Sequence, residues 1–316
     1  MRTRRQHSSS NSVSSPDTSH IPVLLHEAIQ LLAIKKSDTA VDATLGEGGH
    51  TREILKQLGP QGVYIGIDAD GSALRRAQKN LSASVKEKKT HFVQANFRML
   101  TSVLETLNIQ TVDKVLFDLG WNSAQLSSGR GFSFRTDEPL RMTFDDTPHS
   151  KTLTAAYVVN EWSEETLRDI LTGFGEERYA RRIALMIVLR REKKKFDTAR
   201  ELADAIYNIV PPAYRHGKIH PATRTFQALR IAVNDELGAI QEGFEAAWNA
   251  LSKDGRIAFI TFHSVEARLV KNLMREKVKA RGGRLIVKRA VMPSVEEVGK
   301  NPRSRSATLR VIEKQV

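Results

Sequence analysis

One short stretch constrains this chain more than any other. Thr39-Ala40-Val41-Asp42-Ala43-Thr44, a strand-like run, leads directly into Gly46-Glu47-Gly48-Gly49-His50. A helical segment, His50 to Leu58, follows and is stopped by Gly59 and Pro60. A second apolar run, Gly62 to Asp68, then ends in an acid. Strand, tight glycine turn, helix and parallel strand form the opening unit of a doubly wound α/β sheet. Asp70 is placed to cap the next helix, which puts Leu74, Ala77 and Leu81 on one face. His91–Gln94 and Val115–Asp118 read as the third and fourth strands.

The next strong strand is Arg256–Phe262, about 135 residues beyond Gly120. A strand–helix–strand unit takes about 30 residues or more. The surplus, about 100 residues, is too long for a loop and predicts an inserted subdomain. Phe226, Leu229, Val233, Leu237, Ile240, Phe244, Trp248 and Leu251 form one apolar stripe, which reads as a single crossover helix. The predicted organisation has a disordered tail at 1–19 and the first part of the sheet domain at 20–125. A helical insert follows at 126–219, and the sheet domain is completed at 220–316. Ser163 is expected to cap a helix in the insert, and Glu201–Val210 is amphipathic. Leu285–Lys288 and Ala307–Ile312 are further strand candidates.

Open parallel sheets bind ligands at the carboxyl ends of their strands. Asp68 ends the second strand at the spacing where an acid accepts hydrogen bonds from ribose hydroxyls. The loop admits two readings. A dinucleotide fingerprint, Gly-x-Gly-x-x-Gly, would need a third glycine where this chain has Thr51. S-adenosylmethionine carries no phosphate and does not require that geometry. Asp42 or Glu47 would suit its ammonium group and would repel a pyrophosphate. The loop with Asp68 therefore favours S-adenosylmethionine.

Lys and Arg total 49 against 36 Asp and Glu, a formal net charge of +13, which favours a polyanionic partner such as nucleic acid. Two runs concentrate the charge, Arg181–Lys195 and Lys271–Arg289, and could track phosphates on either side of a cleft. There is no cysteine, which excludes disulfides and thiolate metal sites and fits a reducing, cytoplasmic setting. The longest apolar run, Ile183–Leu189, is far below the about 20 residues of a membrane span, so no membrane partner is expected. No metal site is expected either.

Lack of cysteine also bears on chemistry. Methylation of a pyrimidine carbon normally uses a cysteine nucleophile, so attack should come directly from nitrogen or oxygen. Asp118 ends the fourth strand, where amino-methyltransferases place an acidic or polar residue before Pro-Pro-aromatic; here it is Asp118-Leu119-Gly120-Trp121. Asp118 can hold an amine, the cofactor, or both. Trp121 can stack on an extruded base or belong to the core, and Asn122 adds a polar group beside it. His263 ends the fifth strand, where it can relay a proton or serve as a structural histidine. Arg224, near His220 at the start of the crossover helix, can bind phosphate or pair with Asp235.

The chain resembles the 16S rRNA cytosine-N(4) methyltransferases, the RsmH or MraW family. The matching stretches run in order: His20–Glu27, Gly46–His50, Asp118-Leu119-Gly120, Arg130–Phe134, Gly175–Arg178, His220–Arg230, Phe262-His263-Ser264 and Asn301–Ser306. The resemblance implies a class I, Rossmann-like fold. It implies cofactor contacts from Gly48, Gly49, His50, Asp68, Phe97, Asp118 and Gln125, with S-adenosyl-L-methionine as cofactor. It also implies an insert that helps recognise RNA, methylation of a decoding-centre cytidine in the small ribosomal subunit, and dimers. Arg303 and Arg305 would extend the RNA contacts of His220 and Arg224. Two stretches depart from the family pattern. Trp121-Asn122-Ser123 stands where Val-Ser-Ser is usual, and Arg141 and Thr143 replace an acid and a base. Two other classes remain: an RNA-binding assembly factor that keeps the cofactor as a structural ligand, and a methyltransferase for small molecules.

Overall fold

The computed structural model describes residues 22–85, 88–120, 129–144 and 152–316. The predicted tail at 1–19 and Trp121, Asn122 and Gln125 lie outside the described residues. Seven strands form one sheet in the order β3-β2-β1-β4-β5-β7-β6. They are β1 (Thr39–Asp42), β2 (Val63–Asp68), β3 (Lys89–Gln94), β4 (Val112–Asp118), β5 (Leu251–Thr261), β6 (Gly283–Leu285) and β7 (Thr308–Lys314). The first five are parallel; β7 runs antiparallel between β5 and β6. This is the Rossmann-like α/β arrangement. The reversal of strand order between β1 and β4 opens a crevice at their carboxyl ends.

Helices α1 (Leu25–Leu32), α2 (Gly49–Gln57), α3 (Gly71–Leu81) and α4 (Leu100–Thr106) flank the first half of the sheet. The α2 turn forms because its glycines permit it. Gly48 adopts φ +79°, and a Cβ there would lie 2.8 Å from Leu81 Cδ1. A Cβ on Gly49 would lie 2.3 Å from Pro22 Cγ, so the chain's N-terminal stretch packs directly on the loop. Asp70 caps α3 as expected, accepting from Ser72 and Ala73 backbone N–H groups. Two apolar cores sandwich the sheet, one holding Val41, Ile65, Phe117 and Phe259, the other Ala40, Tyr64, Leu116 and Ala258. This is the alternation that a sheet buried on both faces demands.

After β4 the chain builds a helical unit: α5 (Ala155–Glu161), α6 (Glu164–Gly173), α7 (Ala180–Arg191), α8 (Ala199–Ile209), α9 (Pro212–Arg215) and α10 (Thr223–Asn234). Ser163 caps α6 through the Thr166 N–H. This unit has a core of its own, which reaches from Phe132 to Leu229 and so includes Phe226 beyond the expected limit at 219. The expected single crossover helix is two. Asp235 takes a left-handed conformation, φ 46°, and separates α10 from α11 (Glu236–Ala250). Phe226 and Leu229 of α10 pack in the helical unit, whereas Ile240, Phe244 and Trp248 of α11 pack on the sheet. Helices α12 (Ser264–Lys279) and α13 (Val295–Lys300) complete the fold. The expected strand at Leu285–Lys288 is shorter and earlier: pairing with β7 stops at Leu285. Among the described residues no helix is long and apolar enough to cross a membrane.

Candidate active site at the carboxyl ends of the strands

Strands β1, β2 and β4 each end in an aspartate, so Asp42, Asp68 and Asp118 converge at the crevice. Asp68 is tied to the glycine loop: its Oδ2 accepts from Gly46 N and its Oδ1 from Asp70 N, both at 2.8 Å. Burial raises its carboxyl above the usual range while these two N–H groups pull the other way. Each carboxylate oxygen retains lone-pair capacity for a further donor. A Cβ at Gly46 would meet only the Thr44 carbonyl, at 3.9 Å, so that side of the turn is open. Phe97 follows β3 in a short 3₁₀ turn and sits edge-on to Phe117, with ring centroids 5.5 Å apart, against Gly243 of α11.

Asp118 anchors the other wall. Its backbone N–H donates to Thr44 Oγ1 at 2.6 Å and its Oδ1 accepts from Gly120 N at 3.1 Å. Its Oδ2 lies 3.4 Å from His50 Nδ1. His50 is buried, and its Nε2 donates to the Val23 carbonyl at 3.1 Å. The loop can therefore offer a ligand the His50 backbone, while the imidazole serves a network beneath it. Asp42 corrects a sequence expectation. It is 1% exposed, and its Oδ2 accepts from Thr51 Oγ1, which in turn contacts Tyr64 OH at 2.6 Å. It supports the loop from below and does not reach the ammonium of a ligand above it. Burial pushes its carboxyl up to about 6, against the opposing pull of His50 and of hydrogen bonds from Thr51 and Thr44.

The donor set fits S-adenosylmethionine. The crevice presents carboxylates, an aromatic ring and an open glycine turn. Gly48, Gly49 and His50 would supply loop backbone, Asp68 would accept from ribose hydroxyls, and Phe97 would wall the adenine. Asp118 would stand next to the reacting end.

The other predicted residues lie on neighbouring elements, and His263 follows β5 beside the end of β4. His263 is the N-cap of α12 in a reciprocal capping box with Glu266, and its Nε2 is 2.9 Å from Glu266 Oε1. Arg230 lies alongside, with Nη2 3.4 Å from His263 Nε2, and is bidentate to Glu236 at 2.6 and 2.8 Å. The histidine is held at a joint between α10, α11 and α12, its local partner being Glu266 and its distant ones Arg230 and Glu236. Glu236, His263 and Glu266 have the donor atoms of a metal site. Arg230 already supplies the cation.

Arg224 does not pair with Asp235. Its Nη1 donates to the Glu176 carbonyl at 2.8 Å, and Asp235 pairs with Arg98 at 2.6 Å. His220 stacks on Phe134, 4.6 Å between centroids, and faces Tyr207 at 5.9 Å. Arg303 and Arg305 are exposed on the 3₁₀ turn before β7. Much of the first basic run is structural: Arg190 and Arg191 donate to backbone carbonyls, and Lys194 and Lys195 pair with Glu201 and Glu161. Lys271, Arg275, Lys279, Arg281, Lys288 and Arg289 have no ion-pair partner among the described residues and carry most of the charge of the second run.

The sequence matches the MraW methylase family over residues 17–315. It is 44% identical to the ribosomal RNA small subunit methyltransferase H of Persephonella marina over 292 residues, covering 92% of this chain and 98% of that one. It is also 44% identical to the protein of the same name from Treponema denticola, over 93% of this chain and 97% of that one. The crystal structure of an rRNA methylase from Streptococcus thermophilus aligns at a TM-score of 0.45 and 12% identity, over 94% of this chain and 100% of that one. A site of three strand-end aspartates around a glycine turn, with this extent of matching sequence, leads to one conclusion: the chain belongs to the MraW methylase family.

Proposed function

We propose that this protein transfers a methyl group from S-adenosylmethionine to the exocyclic N(4) amine of a decoding-centre cytidine in 16S rRNA. It would act in the cytoplasm on the small ribosomal subunit. The observation that carries this reading is Asp118, fixed at the end of β4 beside the glycine turn, in a chain that has no cysteine. The names of its relatives, small subunit rRNA methyltransferases, supply the substrate class.

The amine of cytosine is a poor nucleophile because its lone pair is delocalised into the ring. S-adenosylmethionine supplies an electrophilic methyl on a sulfonium. The protein's part is to hold the amine in line and accept its hydrogen bonds. Asp118 is suited to that, since its Oδ1 is oriented by Gly120 N–H and its main chain by Thr44. Trp121 and Asn122 follow it after Leu119-Gly120, and we assign them to stacking on the base and to its polar edge. Gln125 completes the cofactor contacts in this reading. His263 is reassigned from proton relay to joint.

The helical unit, residues 126–219 with α10 packed on it, is proposed to recognise the RNA. Supporting this is a cavity of about 630 Å³ lined by Phe134, Arg135, Arg200, Asp204, Lys218, Ile219, His220 and Thr223, in which rings and cations lie together around a single acid. Arg224, Arg303 and Arg305 would add phosphate contacts. The test uses small subunits from a strain lacking this methylation, incubated with the protein and tritiated S-adenosylmethionine. Digestion to nucleosides should place the label in N(4)-methylcytidine. Cofactor binding without transfer to RNA would instead indicate an assembly factor, and label found only in metabolites would exclude RNA as substrate.

A further inference from the structure

The glycine loop is held from the far end of the chain, by α13. Leu24 opens α1 as its N-cap in the left-handed conformation, φ 53° and ψ 34°, and its side chain is fully buried. A leucine adopts that backbone rarely and at a cost, so surrounding contacts must hold it there. Part of the hold is apolar. Leu24 shares a core with Leu45, just before the glycine turn, and with Leu81, which fills the space beside Gly48. The polar part comes from Glu297 on α13, whose Oε1 accepts from Leu24 N at 2.8 Å across 273 positions of sequence. Glu297 stands three residues after the N-cap Ser294, from where a glutamate ordinarily bonds back to its own helix start. Ser294 accepts from Glu297 N at 3.1 Å, yet the carboxylate reaches across to α1.

The two residues before Leu24 touch the loop itself. The Val23 carbonyl can only accept, and it takes a hydrogen bond from His50 Nε2 at 3.1 Å. Pro22 lies so close to Gly49 that a Cβ there would come within 2.3 Å of Pro22 Cγ. Gly49 and His50 are the first residues of α2, where the loop backbone turns toward the crevice. We propose that Glu297 is a positioning residue for the S-adenosylmethionine site: by holding the Leu24 N–H it seats Pro22 and Val23 on Gly49 and His50, and so keeps the loop in its cofactor-binding shape. The inference rests on the cofactor placement above and deepens it.

The lever is short. Three consecutive residues, Pro22, Val23 and Leu24, carry one contact each, to Gly49, His50 and Glu297. Relaxation of Leu24 into the common right-handed region would turn Pro22 and Val23 away from the loop. The acceptor that prevents this is a carboxylate, and a bond from an N–H to a charged acceptor is stronger than one between neutral groups. Glu297 also lies near enough to His50 to act on its ring: burial lowers the proton affinity of His50, while Asp42 and Glu297 pull the other way. Its helix leads straight into the 3₁₀ turn of Arg303 and Arg305, and Asn301 N donates to the Glu297 carbonyl at 2.6 Å. The segment offered to RNA is therefore bonded to the residue that holds the cofactor loop.

The experiment compares Glu297→Ala and Glu297→Gln with wild type. Glutamine keeps an oxygen acceptor for the Leu24 N–H; alanine removes it. Calorimetry on proteins shown to be folded by circular dichroism should give a Kd for S-adenosylmethionine raised about tenfold in Glu297→Ala and within about threefold of wild type in Glu297→Gln. A residue that merely stabilised the fold would leave the affinity of the folded protein unchanged. Hydrogen exchange on the wild-type protein supplies an arm that needs no variant to fold. Adding S-adenosylmethionine should slow amide exchange at residues 22–25 together with 46–50, by about tenfold. An unchanged Kd in Glu297→Ala, an equal loss in both variants, or protection of 46–50 without any at 22–25 would overturn the proposal. None of these measurements uses RNA. Failure of the wild-type protein to label RNA would refute the methyl-transfer reading, while binding and exchange would still decide the role of Glu297.

Discussion

Asp42 turns the burial of one carboxyl into a measurable pH dependence. Its carboxyl is raised from 3.8 to about 6 in the folded chain, chiefly by burial. At 1.36 kcal/mol per pH unit, the difference of about two units corresponds to about 3 kcal/mol. For an acid raised on folding, the native state holds the proton more tightly than the unfolded chain. Its favourable contribution is full below about pH 4 and is lost as the pH rises through about 6. Beyond that the folded protein carries a buried carboxylate. Asp42→Asn removes the titrating group and keeps polar atoms for Thr44 and Thr51. Urea denaturation of both proteins from pH 4 to 8 should therefore show the wild type losing about 3 kcal/mol relative to the variant as pH rises. A flat difference would mean the carboxyl is not buried in this way. A wild type that gained relative stability with pH would mean that Asp42 is paired with a charged His50.

Two other perturbations test the architecture. Arg230→Met leaves Glu236 and Glu266, each at most about one-eighth exposed in its side chain, facing each other without a cation, and should cost about 3–5 kcal/mol in urea denaturation. Adding Glu236→Leu should recover most of it, and no recovery would show that Arg230 stabilises by another route. Asp68→Ala should weaken S-adenosylmethionine binding roughly 100-fold by calorimetry, through loss of two hydrogen bonds to a charged acceptor; unchanged affinity would displace the ribose from our placement.

The first half of the sheet is legible in the sequence because β1, β2 and β4 are largely apolar runs, each closed by an aspartate. The order of glycine turn and acid then places the crevice before any coordinates are consulted. The break at Asp235 is not legible. The apolar stripe continues in phase from Phe226 to Leu251, and one left-handed residue leaves the period intact. The stripe in fact serves two cores. The joint of Arg230, Glu236, His263 and Glu266 escapes for another reason: its members are unremarkable until α10, α11 and α12 meet. His50 lies between these cases. Its place in the loop is readable, but the direction of its ring depends on Val23, which packs from the chain's other side. Residues whose roles follow from local backbone geometry were readable, and those defined by distant partners were not.

The sheet topology has a consequence for how the chain acquires its fold. β4 pairs with β5 at the sheet's centre, yet the whole helical unit is interposed between them. A chain made from its N-terminus completes β1 to β4 early, and then presents the bare edge of β4 while α5 to α10 are still being synthesised. That edge carries Val115, Leu116 and Phe117, fully buried in the finished protein. An unpaired apolar edge recruits other strands. The local contacts of the helical unit, which form quickly, set how soon β5 can arrive to close it. Substitutions that slow the helical unit should thus surface as aggregation of newly made protein, even where the finished molecule is as stable as before.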